Sequence, residues 1–133
     1  DEDGDGFGTT ETMCLCDAGD VEHFDVTDAT DCYDGNGNAY PGATAWHSDA
    51  RDGTSVGSYD YNCNGTEEKQ WEDEKEDCSL FGDWGSWFCS GDGGWSSTPS
   101  CGETKTWHKN CHYAGGVSLR CEWDEEDRKQ ECR

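Results

Sequence analysis

The sequence predicts a small disulfide-rich fold, mostly loops and short β-strands, built as two modules. Three features carry that expectation. Ten of the 133 residues are cysteine, the chain has no isoleucine and only three leucines, and its formal charge is −22. So few aliphatic side chains fall well below the roughly 20% share at which a chain can bury an ordinary core. Charge and composition alone would describe a disordered chain. Ten cysteines and seven tryptophans argue otherwise, because small secreted domains replace an aliphatic core with cross-links or bound metal. Each bridge contributes about 2–4 kcal/mol, chiefly by restricting the unfolded chain. The even count predicts five disulfides and no free thiol, in an extracellular or cell-surface setting.

The two modules differ in chemistry. Residues 1–77 carry 22 acids against three bases, whereas residues 78–133 carry nine against six. The cysteines divide into four (Cys14, Cys16, Cys32, Cys63) and six (Cys78, Cys89, Cys101, Cys111, Cys121, Cys132), so each module can close its own bridges. The expected boundaries are 1–66 for the first module, 67–77 for an acidic connector lacking glycine and proline, and 78–133 for the second. The connector reads as plain solvated chain, or as a short helix with Glu and Lys spaced for side-chain pairs. Elsewhere, glycine punctuation and the lack of a 3.6-residue apolar stripe predict turns and short strands. No apolar run is long enough to span a bilayer. The acidity argues against nucleic acid, whose binding needs basic side chains. It favours divalent cations, or simply solubility.

In the first module, Asp1-Glu-Asp3-Gly-Asp5-Gly6-Phe7 sets carboxylates at alternate positions ahead of a glycine. Calcium takes six to eight hard oxygens. A tight loop aims residues one, three and five at one centre, glycine permits the sharp turn, and the seventh residue, here Phe7, ligates through its carbonyl. Asp60-Tyr-Asn62-Cys-Asn64-Gly65 repeats the spacing with two amides in place of carboxylates. Neither loop is a complete EF-hand, because the twelfth position is Thr12 in one and Trp71 in the other. The missing ligands are expected from Asp28, Asp31, Asp34 and Asn36, shared across a compact, bridged cage. The expected ion is Ca2+ in a structural role, with an affinity around 10⁻⁴–10⁻³ M. A ligand at residue 1 also implies chain upstream, or an abutting neighbour. The plainer alternative, a set of solvated acidic turns, is disfavoured because so concentrated a charge repels itself unless neutralised. A copper or zinc site from Cys14, Cys16, His23 and His47 ranks lower, since thiolate sites belong mainly to reducing compartments. Cysteines two apart rarely bridge each other, so Cys14 and Cys16 are each expected to pair with Cys32 or Cys63.

These residues carry a resemblance. Asp-x-Asp-Gly-Asp-Gly-Phe-Gly, Thr30-Asp31-Cys32-Tyr33-Asp34, Tyr40-Pro41-Gly42-Ala43-Thr44 and Asp60-Tyr-Asn-Cys-Asn-Gly65 together look like the MopE-like metal-binding repeat of bacterial surface proteins. The ligand logic is also similar to that of thrombospondin type 3 calcium repeats. The resemblance covers about residues 1–66 and implies a secreted or surface structural module that binds metal. Tyr33 stands where the family usually has aspartate, and Ala45-Trp46-His47 replaces a Glu-x-Cys.

The second module reads as a tryptophan ladder. Alternation from Lys105 to Lys109 predicts a strand with Lys105, Trp107 and Lys109 on one face. Laid over Trp84 and Trp87, that face would interleave cations and indoles, each contact worth about 0.5–2 kcal/mol. Trp84-Gly-Ser-Trp87 before Cys89-Ser90, then Cys101-Gly102, the basic strand and Cys132 resemble a thrombospondin type 1 repeat over about residues 78–133. That resemblance implies an elongated three-stranded module with Cys78–Cys111, Cys89–Cys121 and Cys101–Cys132 bridges, and C-mannosylation near Trp84. The ten residues between Ser90 and Cys101 depart from the family's two or three. Asn64-Gly-Thr66 fits a glycosylation sequon, though the ligand role is favoured for Asn64.

No motif points to catalysis. The histidines have no metalloprotease spacing, although a strand would turn His108 and His112 to one face, and nothing signals a carboxylate of raised pKa in an apolar pocket. The sequence therefore reads as a non-enzymatic, calcium-stabilised structural or adhesive protein, a repeat or subunit of a surface appendage or filament. Self-association or a neighbouring repeat is the expected partner. The alternative is a soluble module binding carbohydrate or a surface protein through the Lys105–Lys109 face, and a secreted inhibitor ranks last.

Overall fold

The structure, a computed structural model, describes residues 1–11, 14, 26–54, 56–83, 86–115 and 119–133. Cys16, His23 and Trp84, singled out above, lie outside the described residues. Among those described there is no helix, and short antiparallel strands form two small sheets. The expected class, disulfide-rich with loops and short strands, is the one that forms. No helix of the described residues is long and apolar enough to cross a membrane. The chain divides into two compact units, Asp1–Gln70 with Glu131–Arg133, and Trp71–Gln130.

The first unit is built from turns. Its buried side chains are small or tyrosyl: Ala39, Ala43, Ala50, Tyr59 and Tyr61 are each no more than 4% exposed. Cys32–Cys63 closes it covalently. His47 and Cys132 exchange backbone hydrogen bonds of 2.9 Å each way, and Glu68 and Arg133 exchange bonds of 3.0 and 3.1 Å. The last three residues are thereby paired within this unit. The His47 ring stacks on Tyr61 with centroids 3.8 Å apart, and burial lowers its pKa.

The pairing of Cys32 with Cys63 corrects one expectation. Neither is available to Cys14, whose thiol is exposed and free. The free Cys14 also overturns the expectation of five disulfides and no free thiol, because an even count caps how many bridges can form without fixing how many do or which cysteines they join.

The second unit contains all the named strands. A hairpin pairs β1 (Ser79–Asp83) with β2 (Ser86–Ser90), in a register that sets Phe81 opposite Phe88. A three-stranded sheet follows, in the order β3 (Gly94–Trp95), β4 (Thr104–Tyr113), β5 (Cys121–Lys129). Cys78–Cys111 and Cys89–Cys121 tie the hairpin to that sheet. Cys101 and Cys132 are disulfide-bonded too.

The core of this unit is Trp95, which is fully buried. The segment expected to be a plain connector packs against it. Trp95 donates its backbone N–H to Asp73 (2.9 Å) and accepts from Lys75 (3.0 Å). Its indole N–H donates to the carbonyl of Trp71 (3.0 Å). Gly94 permits the approach, since a Cβ there would sit 2.6 Å from the Asp73 carbonyl oxygen.

The predicted strand over Lys105–Lys109 lies within β4, but the cation on its tryptophan is different. Arg128, opposite Lys105 on β5, lies 4.4 Å from the Trp107 ring centre and 4.9 Å from that of Trp71. Trp95 meets Trp107 edge-on at 5.0 Å. The ladder therefore runs Trp71, Arg128, Trp107, Trp95. Lys105 and Lys109 instead form ion pairs with Glu103 and Glu126, and Trp87 is 49% exposed. Guanidinium is planar and weakly hydrated, so it stacks on indole more readily than ammonium does.

A β-bulge between Lys109 and His112 sets Asn110 and Cys111 against one residue of β5, with Asn110 at a φ of 50°. The extra residue reverses the alternation. His108 is buried, with Nε2 2.7 Å from Ser96 Oγ, whereas His112 is exposed. The two do not share a face, which removes the histidine pair expected from unbroken strand geometry.

Trp95→Ala is expected to cost the second unit about 3–5 kcal/mol, read as a lower denaturant midpoint. Lys109 first, then Arg128, hold the Glu126 carboxyl below its ordinary value of 4.5. A depressed carboxylate pKa stabilises the fold above the unfolded value and loses that contribution as pH falls through the folded one. The melting temperature of the second unit should therefore drop below about pH 4.5, and Glu126→Gln should flatten that part of the profile.

Candidate metal centre

The loop at residues 1–7 is shaped by its own acids. Asp1 Oδ1 accepts hydrogen bonds from the amides of Gly4 (2.7 Å) and Asp5 (3.1 Å), and its Oδ2 accepts from Gly6 (3.1 Å). Asp3 Oδ1 accepts from Asp5 N (3.2 Å), and Asp5 Oδ1 accepts from Phe7 N (2.9 Å). Gly4 and Gly6 sit at φ of 82° and 95°, a region costly for residues with a Cβ. The turn points alternate side chains inward, so Asp1, Asp3, Asp5 and Phe7 are partly buried while Glu2, Gly4 and Gly6 are exposed.

Asp1, Asp3 and Asp5 each offer a carboxylate oxygen, and these lie within 4.8 Å of one another. Asp3 and Asp5 use one oxygen to fix the turn. Their second oxygens, both Oδ2, are buried without a hydrogen-bond partner. A buried unpaired carboxylate oxygen is costly. Burial, and then the charge of Asp5, raise the Asp3 pKa; Asp34 adds to the rise while the amides of Asp5 and Asn36 oppose it. Hard anionic oxygens without nitrogen or sulfur donors suit calcium or magnesium rather than zinc or copper.

Residues 60–66 repeat four of these five bonds. Asp60 accepts from Asn64 N (3.1 Å) and Gly65 N (2.9 Å), Asn62 Oδ1 from Asn64 N (3.1 Å), and Asn64 Oδ1 from Thr66 N (2.7 Å). Cys63 and Gly65, at φ of 56° and 85°, match Gly4 and Gly6. The two loops share a backbone as well as a spacing.

The other expected ligands have mixed placements. Asp31 is 9% exposed, accepts from Tyr33 N (2.9 Å) through Oδ1, and leaves Oδ2 buried without a partner. Asp34 Oδ1 accepts from Glu2 N (2.8 Å), which sets it beside the first loop. Asn36 donates to the Arg51 carbonyl (2.7 Å) and caps a turn onto Asn38. Asp28 is committed to a turn with Thr30, and its carbonyl accepts from Gly8 N (2.9 Å). Phe7 stacks on Tyr40 with centroids 6.0 Å apart.

Two further groupings, Asp31 with Cys32 and Cys63 and Cys78 with Cys111 and Cys121, have their sulfurs in disulfides. Neither has a thiolate to offer a metal. Glu68 and Arg133 were not read from the sequence as part of the second loop. Glu68 is the ninth residue counted from Asp60, a ligand position in such loops, and that offset was the available signal.

The fold and site together define a small disulfide-rich protein with a duplicated acidic-loop motif. Comparison with protein-family models, with curated proteins and with solved structures gives no match for the chain.

Because its raised pKa marks a charge held at a cost, Asp3→Asn is expected to raise the melting temperature of the first unit in chelator at neutral pH. The gain should vanish below about pH 3.8, the ordinary value at which the unfolded carboxyl is itself protonated. Differential scanning calorimetry at the two pH values reads both parts.

Proposed function

We propose that this chain is an extracellular, non-catalytic structural module stabilised by calcium, acting as a repeat or subunit of a surface appendage or filament. One observation carries the reading: three carboxylates converge in a loop whose two inner oxygens, on Asp3 and Asp5, are buried without partners. Asp1, Asp3 and Asp5 would hold the ion, with Asp34 beside them. Calcium would supply the positive charge that the hydrogen bonds of the loop do not. The buried Oδ2 of Asp31, which lacks a hydrogen-bond partner, adds a further oxygen of the right hardness elsewhere in the same unit. Support also comes from the duplicated backbone at 60–66, from the disulfides, which fit an oxidising compartment, and from the resemblance to surface-protein metal repeats.

A second reading, a module that binds carbohydrate or a surface protein, is favoured by the β1–β2 hairpin. Phe81, Trp87 and Phe88 there are 49%, 49% and 58% exposed. This differs from the lysine face expected from the sequence, where both cations are already paired. Trp87→Ala should abolish any glycan-array signal if this reading holds.

The first reading predicts that calcium at ten times its dissociation constant stabilises the first unit by about 1.4 kcal/mol, with magnesium doing less. Calorimetry showing the same melting temperature in calcium and in chelator would sink it. Sedimentation of monomers alone, with and without calcium, would remove the filament part and leave the metal part standing.

A further inference from the structure

We propose that the Arg133 guanidinium is the resident cation of the 60–65 loop, so that the first unit takes up one calcium ion and keeps a second, latent site closed. This rests on the calcium reading of the 1–7 loop. The two loops have the same backbone but opposite needs. In the first, three carboxylates converge and two of their oxygens lack partners. In the second, amides replace two carboxylates, and no side-chain oxygen or nitrogen of Asp60, Asn62 or Asn64 is buried without a partner.

The difference is supplied by Glu68 and Arg133. Asn62 Nδ2 donates to Glu68 Oε2 (3.2 Å) and Asn64 Nδ2 to Oε1 (3.1 Å), so one carboxylate braces both amides. Arg133 Nε donates to Glu68 Oε2 at 2.8 Å. The guanidinium lies 4.5 Å from the Trp46 ring centre, Nη1 reaches the Thr44 carbonyl at 3.5 Å, and the backbone of Arg133 is bonded to Glu68 on both sides.

The charges explain why an organic cation suffices. Asp60 and Glu68 together carry two negative charges, against three in the first loop, and the amide oxygens are weaker ligands. A divalent ion must shed water to enter that set, so it does not displace a delocalised, weakly hydrated guanidinium, which pairs with carboxylate at small desolvation cost. An open cleft of about 290 Å³ borders Asn62, Asn64, Glu68 and Arg133. It leaves room for an ion and its waters once the guanidinium is removed.

Native mass spectrometry of the full chain in about 1 mM calcium, within the range of extracellular sites, counts the ions. Wild type should carry one, Asp3→Asn none, and Arg133→Gln two. Arg133→Lys retains a cation and should stay at one, which tests the idea even if Arg133→Gln fails to fold. Two ions on wild type or on Arg133→Lys would overturn the proposal while leaving the calcium reading intact. So would a single ion on a folded Arg133→Gln. No ion on any form would instead remove the calcium reading, and this inference with it.

Discussion

The first unit depends on carboxylate oxygens accepting backbone N–H groups. Hydrophobic burial cannot organise a segment whose core is three alanines and two tyrosines. Instead Asp1 gathers three amides, and Asp3, Asp5, Asp60, Asn62 and Asn64 each turn the chain around one or two more. Each such bond to a charged acceptor is worth about 1.5–3 kcal/mol. Crowding acids to make them sets up the repulsion and the unpaired oxygens of the centre. Structure and site thus have the same origin.

The second unit answers the same shortage of aliphatic residues with aromatic stacking. One buried indole, Trp95, is ringed by Trp107, Trp71 and Gly94, and Arg128 lies over both outer rings. Disulfides tie the exposed hairpin to this small core. The arrangement tolerates an acidic surface because its packing is concentrated in a few large flat groups, which bury area at low entropic cost.

What the sequence made legible was local. Alternating acids with glycine foretold both loops, and alternation over Lys105–Lys109 foretold the strand. Long-range partnership was not legible. Nothing in the neighbourhood of Arg128 announces that it will meet Trp71 and Trp107 from far along the chain. The run Trp71–Asp77 looks like solvent-exposed connector by composition, yet its backbone pairs with Trp95. The bulge at Asn110 turns on one extra residue, and a single slip reverses every face that follows it. Cys14 shows the limit of parity arguments. The αL conformation of Cys63 was hidden as well, since a cysteine stands where the first loop has glycine and its neighbours give no sign of it.

The outer strand of the three-stranded sheet has a consequence of its own. Among the described residues no strand pairs with the outer side of β5, and such borders invite another chain to continue the hydrogen-bond ladder. Glu122, Asp124, Glu125, Glu126 and Asp127 crowd that border with like charge. Two copies meeting edge to edge would set these rows against each other, at an electrostatic cost that the pairing of Glu122 with Arg120 and of Glu126 with Lys109 and Arg128 lessens.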